Sequence, residues 1–336
     1  MSISRRKLLG YGAGAAGVFA MPYVARAQAA PIKLVFSHHI PTTHLAHITA
    51  ERFAADVSKG TNGQVTIDIR PASQLFNLRT SAEALQLGTL DFAWTDLGTL
   101  ANWQPQFGFT SVPFLFNDYD HVKKVLQGPV GAQVVADVKS TLGVDILCLG
   151  ASGFRIFCSK KEIKSVDDVR GIKLRVPEIP VYVEMAKALG TNPTPIPAGE
   201  IYTALQTGVI DGFEGPADFV QVGKHYEVAK FVTRTHHIFT EVSMMSSVKK
   251  MATLPANVQK VIRDAAVEAT GKFMWEANLK AQTEAWNDLA TKATANASPD
   301  IPSFRSKMGP VVESFLAKAG PKAKAYIEAV QAAGKA

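Results

Sequence analysis

The chain has 336 residues, of which 47% are hydrophobic and 19% are charged. This composition is typical of a globular protein, and the length allows two lobes of ordinary size. The formal net charge at pH 7 is +7, from 36 basic and 29 acidic residues without a long basic run. Four of the basic residues and no acidic one lie in the first 29 residues, so the remaining chain carries +3, and this mild balance argues against nucleic acid as a partner.

The first 29 residues predict a secretory signal peptide. A basic start precedes an apolar segment rich in glycine and alanine, and small residues allow cleavage after Ala27 or Ala29. Arg5 and Arg6 precede two leucines, which favours twin-arginine export, with a plain Sec signal as the alternative. No other stretch is apolar for long enough to span a membrane, so we expect a periplasmic mature protein that is not embedded in a membrane.

The segments that follow alternate between strands and helices. IKLVFS predicts a strand, and a helix is predicted from about Thr43 to Gly60. QVTIDIRP and TLDFAW predict two more strands, separated by the helix LRTSAEALQLG. This alternation predicts an α/β fold with mostly parallel strands.

One pattern occurs twice, 120 residues apart. The residues ALQLGTLD at positions 84–91 return as ALQTGVID at positions 204–211. Each copy predicts a helix that ends at a glycine and is followed by a short strand. A strand ending in IDIRP precedes the first copy, and we pair it with KLRVP, which precedes the second. The repeat predicts two lobes of similar construction.

Crossovers between the lobes are predicted at LGASGFRIFCS and near Glu241. A helix predicted from Pro255 to about Ala295, interrupted only by Gly271, would be on the order of 60 Å long and would lie against both lobes. We place lobe 1 at 31–152 plus about 241–280, and lobe 2 at 153–240 plus about 281–336. Two lobes joined by crossovers are typical of a hinged clamp around a small ligand.

The sequence contains no H-E-x-x-H, P-loop, G-x-S-x-G or paired C-x-x-C motif. Four histidines, His38, His39, His44 and His47, lie close together, but they have no carboxylate nearby in the sequence, so we predict no metal site and no cofactor. Cys148 and Cys158 are the only cysteines, and we expect buried free thiols, with a disulfide as the alternative.

Two arginines stand out in predicted strands. In KLRVP, Arg175 shares a strand face with Lys173, so it lies either on a solvated face or in a binding site. In GFRIFCS, Arg155 shares a face with Phe157 and has no acidic residue in its strand. A buried guanidinium needs an anion, which is either a carboxylate ligand or an acidic residue distant in sequence.

Several segments together resemble the DctP-type family, the periplasmic solute-binding subunits of TRAP transporters. These segments are RGIKLRVPE, LGTNPTPIPAGEIYTALQTGVIDGFEGP, QLGTLDFAW and SVPFLF. The resemblance runs from about Ile32 to the C-terminus. It implies a two-lobed periplasmic-binding-protein clamp of the α/β class, with a ligand cleft and a long helix spanning both lobes. It also implies capture of a small organic acid anion and delivery to sodium-driven membrane permease subunits.

The resemblance also implies which residues bind the ligand. The family's carboxylate-binding arginine corresponds to Arg175, and a second arginine to Arg155. An asparagine that sugar-acid binders use is replaced by Gly215, and a bulky cleft residue by Ala198, so sialic-acid specificity is not expected. The complete predicted ligand-binding set is Arg175, Arg155, His39, Trp94, Asp96, Phe213, Glu214 and Gly215.

A cleft lined by aromatic side chains would favour a monocarboxylate, such as a 2-oxo or 2-hydroxy acid, over a polyhydroxylated sugar acid. The expected aromatics are Phe36, Trp94, Phe157 and Phe213, and the alternative places them in the core. We expect no enzyme activity. The alternative functions are a periplasmic enzyme, with Asp96 or Glu214 as acid or base, and the ligand-sensing subunit of a receptor.

Overall fold

The structure is a computed structural model that describes residues 30–335. The predicted signal peptide lies outside the described residues. Among residues 30–335, no helix is both long and apolar enough to cross a membrane. The chain forms two separate sheets with helices around them, which confirms the predicted two-lobed α/β fold.

The described residues form twelve strands and thirteen α-helices. The strands are β1 (Ile32–Ser37), β2 (Val65–Arg70), β3 (Phe92–Thr95), β4 (Val144–Leu149), β5 (Gly153–Ser159), β6 (Lys173–Val176), β7 (Asn192–Pro195), β8 (Gly212–Pro216), β9 (Phe231–Thr233), β10 (Phe239–Thr240), β11 (Ser243–Ser247) and β12 (Thr294–Asn296). The helices are α1 (Leu45–Gly60), α2 (Leu78–Leu87), α3 (Leu97–Leu100), α4 (Tyr119–Leu126), α5 (Pro129–Leu142), α6 (Pro180–Ala188), α7 (Ile201–Thr207), α8 (Ala217–Val222), α9 (Val248–Ala252), α10 (Ala256–Ala266), α11 (Trp275–Lys292), α12 (Ile301–Arg305) and α13 (Gly309–Ala333).

The first sheet has five strands in the order β2-β1-β3-β11-β4. β1 pairs in parallel with β2 and β3, whereas β11 runs antiparallel to β3 and β4. Phe36 and Trp94 point to the same side of this sheet and join a buried cluster with Phe53 of α1. Burial of these large side chains fixes α1 against the sheet.

The second sheet has the order β12-β9-β5-β8-β6-β7, with β10 paired to β5. β6 is parallel to β7 and β8, whereas β5 is antiparallel to β8 and β9. The order β7-β6-β8 reproduces the order β2-β1-β3 of the first sheet. The lobe boundaries drawn from the sequence stay a prediction.

The repeated pattern has the same structural role in both sheets. Gly88 and Gly208 end α2 and α7 in the left-handed region, with φ of 82° and 76°. The Asp91 carboxylate accepts a hydrogen bond from Val35 N at 2.8 Å, and the Asp211 carboxylate accepts one from Lys173 N at 2.9 Å. Each aspartate therefore ties its strand to the parallel neighbour.

One detail of the predicted repeat is wrong. The strand that directly precedes the second copy is β7, not the KLRV strand β6. β6 lies between β7 and β8, just as β1 lies between β2 and β3. The IDIR strand β2 therefore corresponds to β7. The shared arginine and proline do not mark equivalent strands.

The long helix predicted near the C-terminus contacts both lobes. α10 and α11 are joined by π-helical turns at Val267–Met274, around Gly271. A Cβ atom on Gly271 would lie 3.1 Å from Cys148 Sγ, so glycine permits close packing on the first sheet. Farther along, Leu289 is buried in a cluster with Val232 of the second sheet. The helix ends at Lys292, three residues before the predicted end.

Side chains of α11 also hold the first crossover. Trp275 Nε1 donates to Leu149 O at 3.0 Å, and Asn278 Nδ2 donates to Ser152 O at 3.0 Å. Cys148 and Cys158 lie in different sheets as free thiols; Cys158 is buried as predicted, whereas Cys148 is only partly buried.

Candidate functional site

A cleft lies where the two sheets approach each other, at the carboxyl ends of β1, β3, β6 and β8. In parallel sheets this edge is where ligands usually bind. Most of the side chains that line it follow these strand ends or belong to the segment around the second crossover. They are His39, Ile40, His44, Leu78, Asp96, Ser152, Arg155, Arg175, Pro177, Ile179, Tyr182, Ala198, Pro216, Phe219, Thr240, Glu241 and Val242.

Four of the eight residues in the predicted ligand-binding set line this cleft. They are His39, Asp96, Arg155 and Arg175. Glu214 contacts Arg155 directly from β8. The structure therefore brings together the charged members of the set from segments as distant as β3 and β8.

Arg155 is neutralised inside the protein. Its Nε and Nη2 donate to the two carboxylate oxygens of Glu214, the second at 2.9 Å, and Nη1 donates to Thr240 Oγ1 at 2.8 Å. Burial alone would lower the pKa of Arg155, but the Glu214 carboxylate outweighs it and raises that pKa. The distant acid that the sequence left open as an alternative is therefore present, and it occupies most of the guanidinium.

Glu214 is held as firmly as its partner. It is fully buried, and His237 Nε2 lies 3.3 Å from Oε2. Burial raises the pKa of Glu214, but Arg155 and His237 outweigh that effect and the net pKa is lowered. At neutral pH this residue is a carboxylate, and the Arg155–Glu214 pair carries no net charge.

Arg175 differs because it has no acidic partner. Its side chain is buried, with the residue 5% exposed, and Nε donates to Ile196 O at 2.9 Å. Among residues 30–335, no carboxylate lies within 4.0 Å of the guanidinium, and Nη1 and Nη2 have no hydrogen-bond acceptor. Burial and then the charge of Arg155 lower the pKa of Arg175 to about 10, so it remains a cation at neutral pH.

Two carboxyl groups face the arginines from the first lobe. Asp96 follows β3 and caps α3, and its Oδ1 accepts a hydrogen bond from Thr99 N at 2.5 Å. Glu241 accepts from Leu97 N at 2.5 Å and from Ser243 Oγ at 2.9 Å. Burial raises the pKa of Asp96, and burial followed by the charge of Asp96 raises that of Glu241 to about 8. Glu241 therefore holds a proton at neutral pH.

Two histidines, His39 and His44, contribute polar groups to the cleft. His39 Nδ1 is buried without a hydrogen-bond partner among the described residues, and burial followed by the charge of Arg175 lowers the pKa of His39 to about 3. His44 caps α1 through Nδ1, and its Nε2 lies 3.0 Å from Asp218 Oδ2 at the start of α8. This last contact joins the first lobe to the second across the cleft.

The predicted aromatic lining is not found. Phe36, Trp94, Phe157 and Phe213 are at most 1% exposed and belong to the hydrophobic core, which is the alternative that the sequence left open. Trp94 Nε1 donates to Ala46 O at 2.8 Å. Contact of Trp94 and Phe213 with a ligand stays a prediction from the resemblance alone.

Gly215 is buried beside two aromatic rings. A Cβ atom there would lie 3.3 Å from Phe213 Cε2 and 3.3 Å from Phe219 Cδ1. Phe219 lines the cleft, so a larger residue at Gly215 would displace part of the cleft wall. Gly215 therefore leaves room for the Phe219 ring at the edge of the cleft.

Tyr182, Phe219 and the chemical role of Glu241 were not predicted from the sequence. Arg155 stacks over the Tyr182 ring, with Cζ 4.9 Å from the centroid. Tyr182 and Phe219 lie on helices whose apolar residues otherwise pack in the core, so spacing gave no signal for either. Glu241 did carry one, since it is an acidic residue in the short link between β10 and β11, at the predicted second crossover.

Comparison with known proteins places the chain among solute-binding proteins. Residues 36–319 match the family described as DctP, bacterial extracellular solute-binding protein, family 7. The C4-dicarboxylate-binding periplasmic protein DctP of Rhodobacter capsulatus is 30% identical over 266 residues, which are 79% of this chain and 79% of that protein.

Two solved structures extend the comparison. A TRAP periplasmic solute-binding protein from Xanthobacter autotrophicus Py2 with bound β-D-galacturonate has a TM-score of 0.84 at 29% identity, over 89% of this chain and 99% of that one. One from Desulfovibrio salexigens with bound orotic acid has a TM-score of 0.83 at 28% identity, over 90% and 98%.

The raised pKa of Glu241 predicts a pH dependence of stability. Its pKa in the folded protein, about 8, exceeds the ordinary value of 4.5, so protonated Glu241 favours the folded state and this contribution is lost as pH rises towards 8. We expect Glu241 to lower the melting temperature as pH rises from 6.5 to 8. The buried histidines of lowered pKa add a rise, shared by wild type and variants, until their imidazoles in the unfolded chain lose their protons. Glu241→Gln should remove most of the fall that Glu241 contributes, whereas the exposed control Glu328→Gln should keep it. A pH dependence of unchanged slope in Glu241→Gln would contradict the assignment.

Proposed function

Because the chain belongs to the DctP family of bacterial extracellular solute-binding proteins, as the resemblance predicts, we propose that it captures a small organic acid anion outside the cytoplasm. It delivers this ligand to the sodium-driven permease of a TRAP transporter. The 29-residue N-terminal segment then serves as a cleaved signal peptide, twin-arginine in type, that directs the protein to the periplasm. The protein binds its ligand without converting it.

One observation carries this proposal. Arg175 is a buried cation whose two terminal nitrogens have no acceptor among the described residues, and it lines the cleft. A buried charge is costly unless a counter-ion and hydrogen bonds compensate it. The planar fork of a guanidinium matches the two oxygens of a carboxylate. A carboxylate ligand supplies the missing partner.

The number of free cations supports a ligand with one carboxylate. Glu214 neutralises Arg155, so Arg175 is the single uncompensated arginine among the residues that line the cleft. We propose a compact monocarboxylate of the 2-oxo or 2-hydroxy class, with its tail against the apolar wall of Ile40, Ile179 and Phe219. The relatives above bind carboxylates that range from galacturonate to orotic acid, by their names.

Binding proceeds by closure of the two lobes. Both sheets contribute lining residues, and His44 and Asp218 meet across the cleft. We place the hinges at the crossovers near 150–153 and Glu241, between lobes bounded as the sequence predicts. Small-angle scattering with and without saturating ligand should show a smaller radius of gyration in the complex. Superimposable curves would argue against closure.

Arg175→Ala tests the carboxylate contact. It removes a charge-assisted bidentate interaction, so we expect binding to weaken by about 2–5 kcal/mol. Arg175→Lys should restore only part of the loss, since an ammonium cannot form two parallel hydrogen bonds. Isothermal titration calorimetry with the best ligand from a thermal-shift screen of organic acids gives both values.

The matched control is Arg170→Ala, which removes an exposed arginine of the same lobe. It should bind as the wild type does. Wild-type affinity in Arg175→Ala would refute the proposed contact. Mass spectrometry of the acid recovered after incubation should show it unchanged, and a new product would favour an enzyme.

A further inference from the structure

The cleft presents opposite charges on its two walls. Arg155 and Arg175 lie on the second lobe, whereas Asp96 and Glu241 approach from the first sheet and the second crossover. Glu214 of β8 neutralises the Arg155 charge through a salt bridge. Arg175 is therefore the uncompensated cation of the cleft, and Asp96 and Glu241 are the acidic groups on the opposite wall.

Within that pair, Asp96 is the group able to contact a ligand. Both carboxyl oxygens of Glu241 are engaged, one by Leu97 N and the other by Ser243 Oγ. Asp96 uses Oδ1 to cap α3, and its carboxyl group also takes a hydrogen bond from the Thr99 side chain, which leaves acceptor positions on Oδ2 open. These open positions belong to a residue that lines the cleft, as do the unpaired Nη1 and Nη2 of Arg175.

We propose that Asp96, backed by Glu241, selects acids that carry a hydrogen-bond donor, a hydroxyl or an ammonium group, in addition to the carboxylate held by Arg175. This inference rests on the proposed function and revises its ligand class, since it disfavours 2-oxo acids and admits 2-amino acids beside the 2-hydroxy acids. A free carboxylate oxygen is an acceptor that needs a donor, and leaving it unpaired in a closed cleft weakens binding.

An acceptor at Asp96 would distinguish acids that have the same shape but differ in the group next to the carboxylate. The carbonyl oxygen of a 2-oxo acid would place lone pairs against the Asp96 oxygen, whereas a 2-hydroxy or 2-amino acid places a donor there. An ammonium group also compensates the Asp96 charge, so a zwitterion leaves the cleft electrically balanced. Hydroxy and amino acids share the donor, and the experiment separates them.

The experiment compares three acids with one carbon skeleton: 4-methyl-2-oxopentanoate, 2-hydroxy-4-methylpentanoate and leucine. Their binding is measured by calorimetry to the mature wild type and to Asp96→Asn. We expect the wild type to bind at least one donor-bearing acid tenfold or more tightly than the oxo acid. The same series built on pyruvate, lactate and alanine covers a smaller ligand.

Asp96→Asn is informative because asparagine keeps the helix cap. Its amide oxygen still accepts from Thr99 N, while its NH₂ group offers a donor where the carboxylate offered an acceptor. We expect the variant to lose tenfold or more for the donor-bearing acid and to gain affinity for the oxo acid. The exposed control Asp167→Asn should reproduce the wild-type order, and an unchanged melting temperature in Asp96→Asn shows that it folds.

The outcomes separate this inference from the proposed function. If the oxo acid binds as tightly as the donor-bearing acids, and Arg175→Ala abolishes binding of both, the donor selection is refuted and the carboxylate contact stands. If no member of either series binds at millimolar concentration, the monocarboxylate class fails, and the inference fails with it. A preference for donors that persists in Asp96→Asn also overturns the inference.

Discussion

The unpaired guanidinium of Arg175 is the constraint on which the cleft depends. A cation that is 5% exposed and has no carboxylate within reach among residues 30–335 costs free energy until an anion arrives. Its neighbour Arg155 would add a second charge, but Glu214 neutralises it through a bidentate pair. Glu214 therefore has an electrostatic role: it leaves one positive charge in the cleft instead of two. That single charge selects a ligand that presents a carboxylate.

Local hydrogen bonds and helix ends, some of them repeated in both sheets, hold this charge in place. Ile196 O holds the Nε of Arg175, so the free edge of the guanidinium remains directed to the cleft. In both sheets, a helix ends at a left-handed glycine and an aspartate ties the following turn to the central strand. These helix ends and hydrogen bonds align the strand ends at one edge of each sheet. Trp275 and Asn278 of the long helix bind backbone carbonyls of the crossover, which connects the two edges at a defined place.

Much of this architecture could be predicted from the sequence, because local patterns determine it. The strand and helix alternation, the glycine-ended helices and the buried face of β1 all depend on residues a few positions apart. The partner of Arg155 could not be found this way, since Glu214 lies 59 residues away on an antiparallel neighbour. Trp94 shows a related limit. It points to the same side of its sheet as Phe36, and only the packing of α1 shows that this side is core.

Of the two acidic residues that line the cleft, Asp96 and Glu241, only Asp96 was predicted from the sequence to bind the ligand. Asp96 follows a strand end and resembles a family position, whereas Glu241 acquires its chemical character from burial next to Asp96. Burial raises the pKa of both carboxyl groups, and the charge of Asp96 raises that of Glu241 further. The charge of the cleft is thus a property of residues from three separate segments: the residue after β3, the second crossover and the strands of the second lobe.

The most direct measurement is a crystal structure of the mature protein with a bound organic acid. The account predicts that both terminal nitrogens of Arg175 lie within hydrogen-bond distance of the two oxygens of one ligand carboxylate, while the Arg155–Glu214 pair stays intact. A ligand whose carboxylate binds elsewhere, with Arg175 paired to an acidic residue of the protein or open to water, would contradict it.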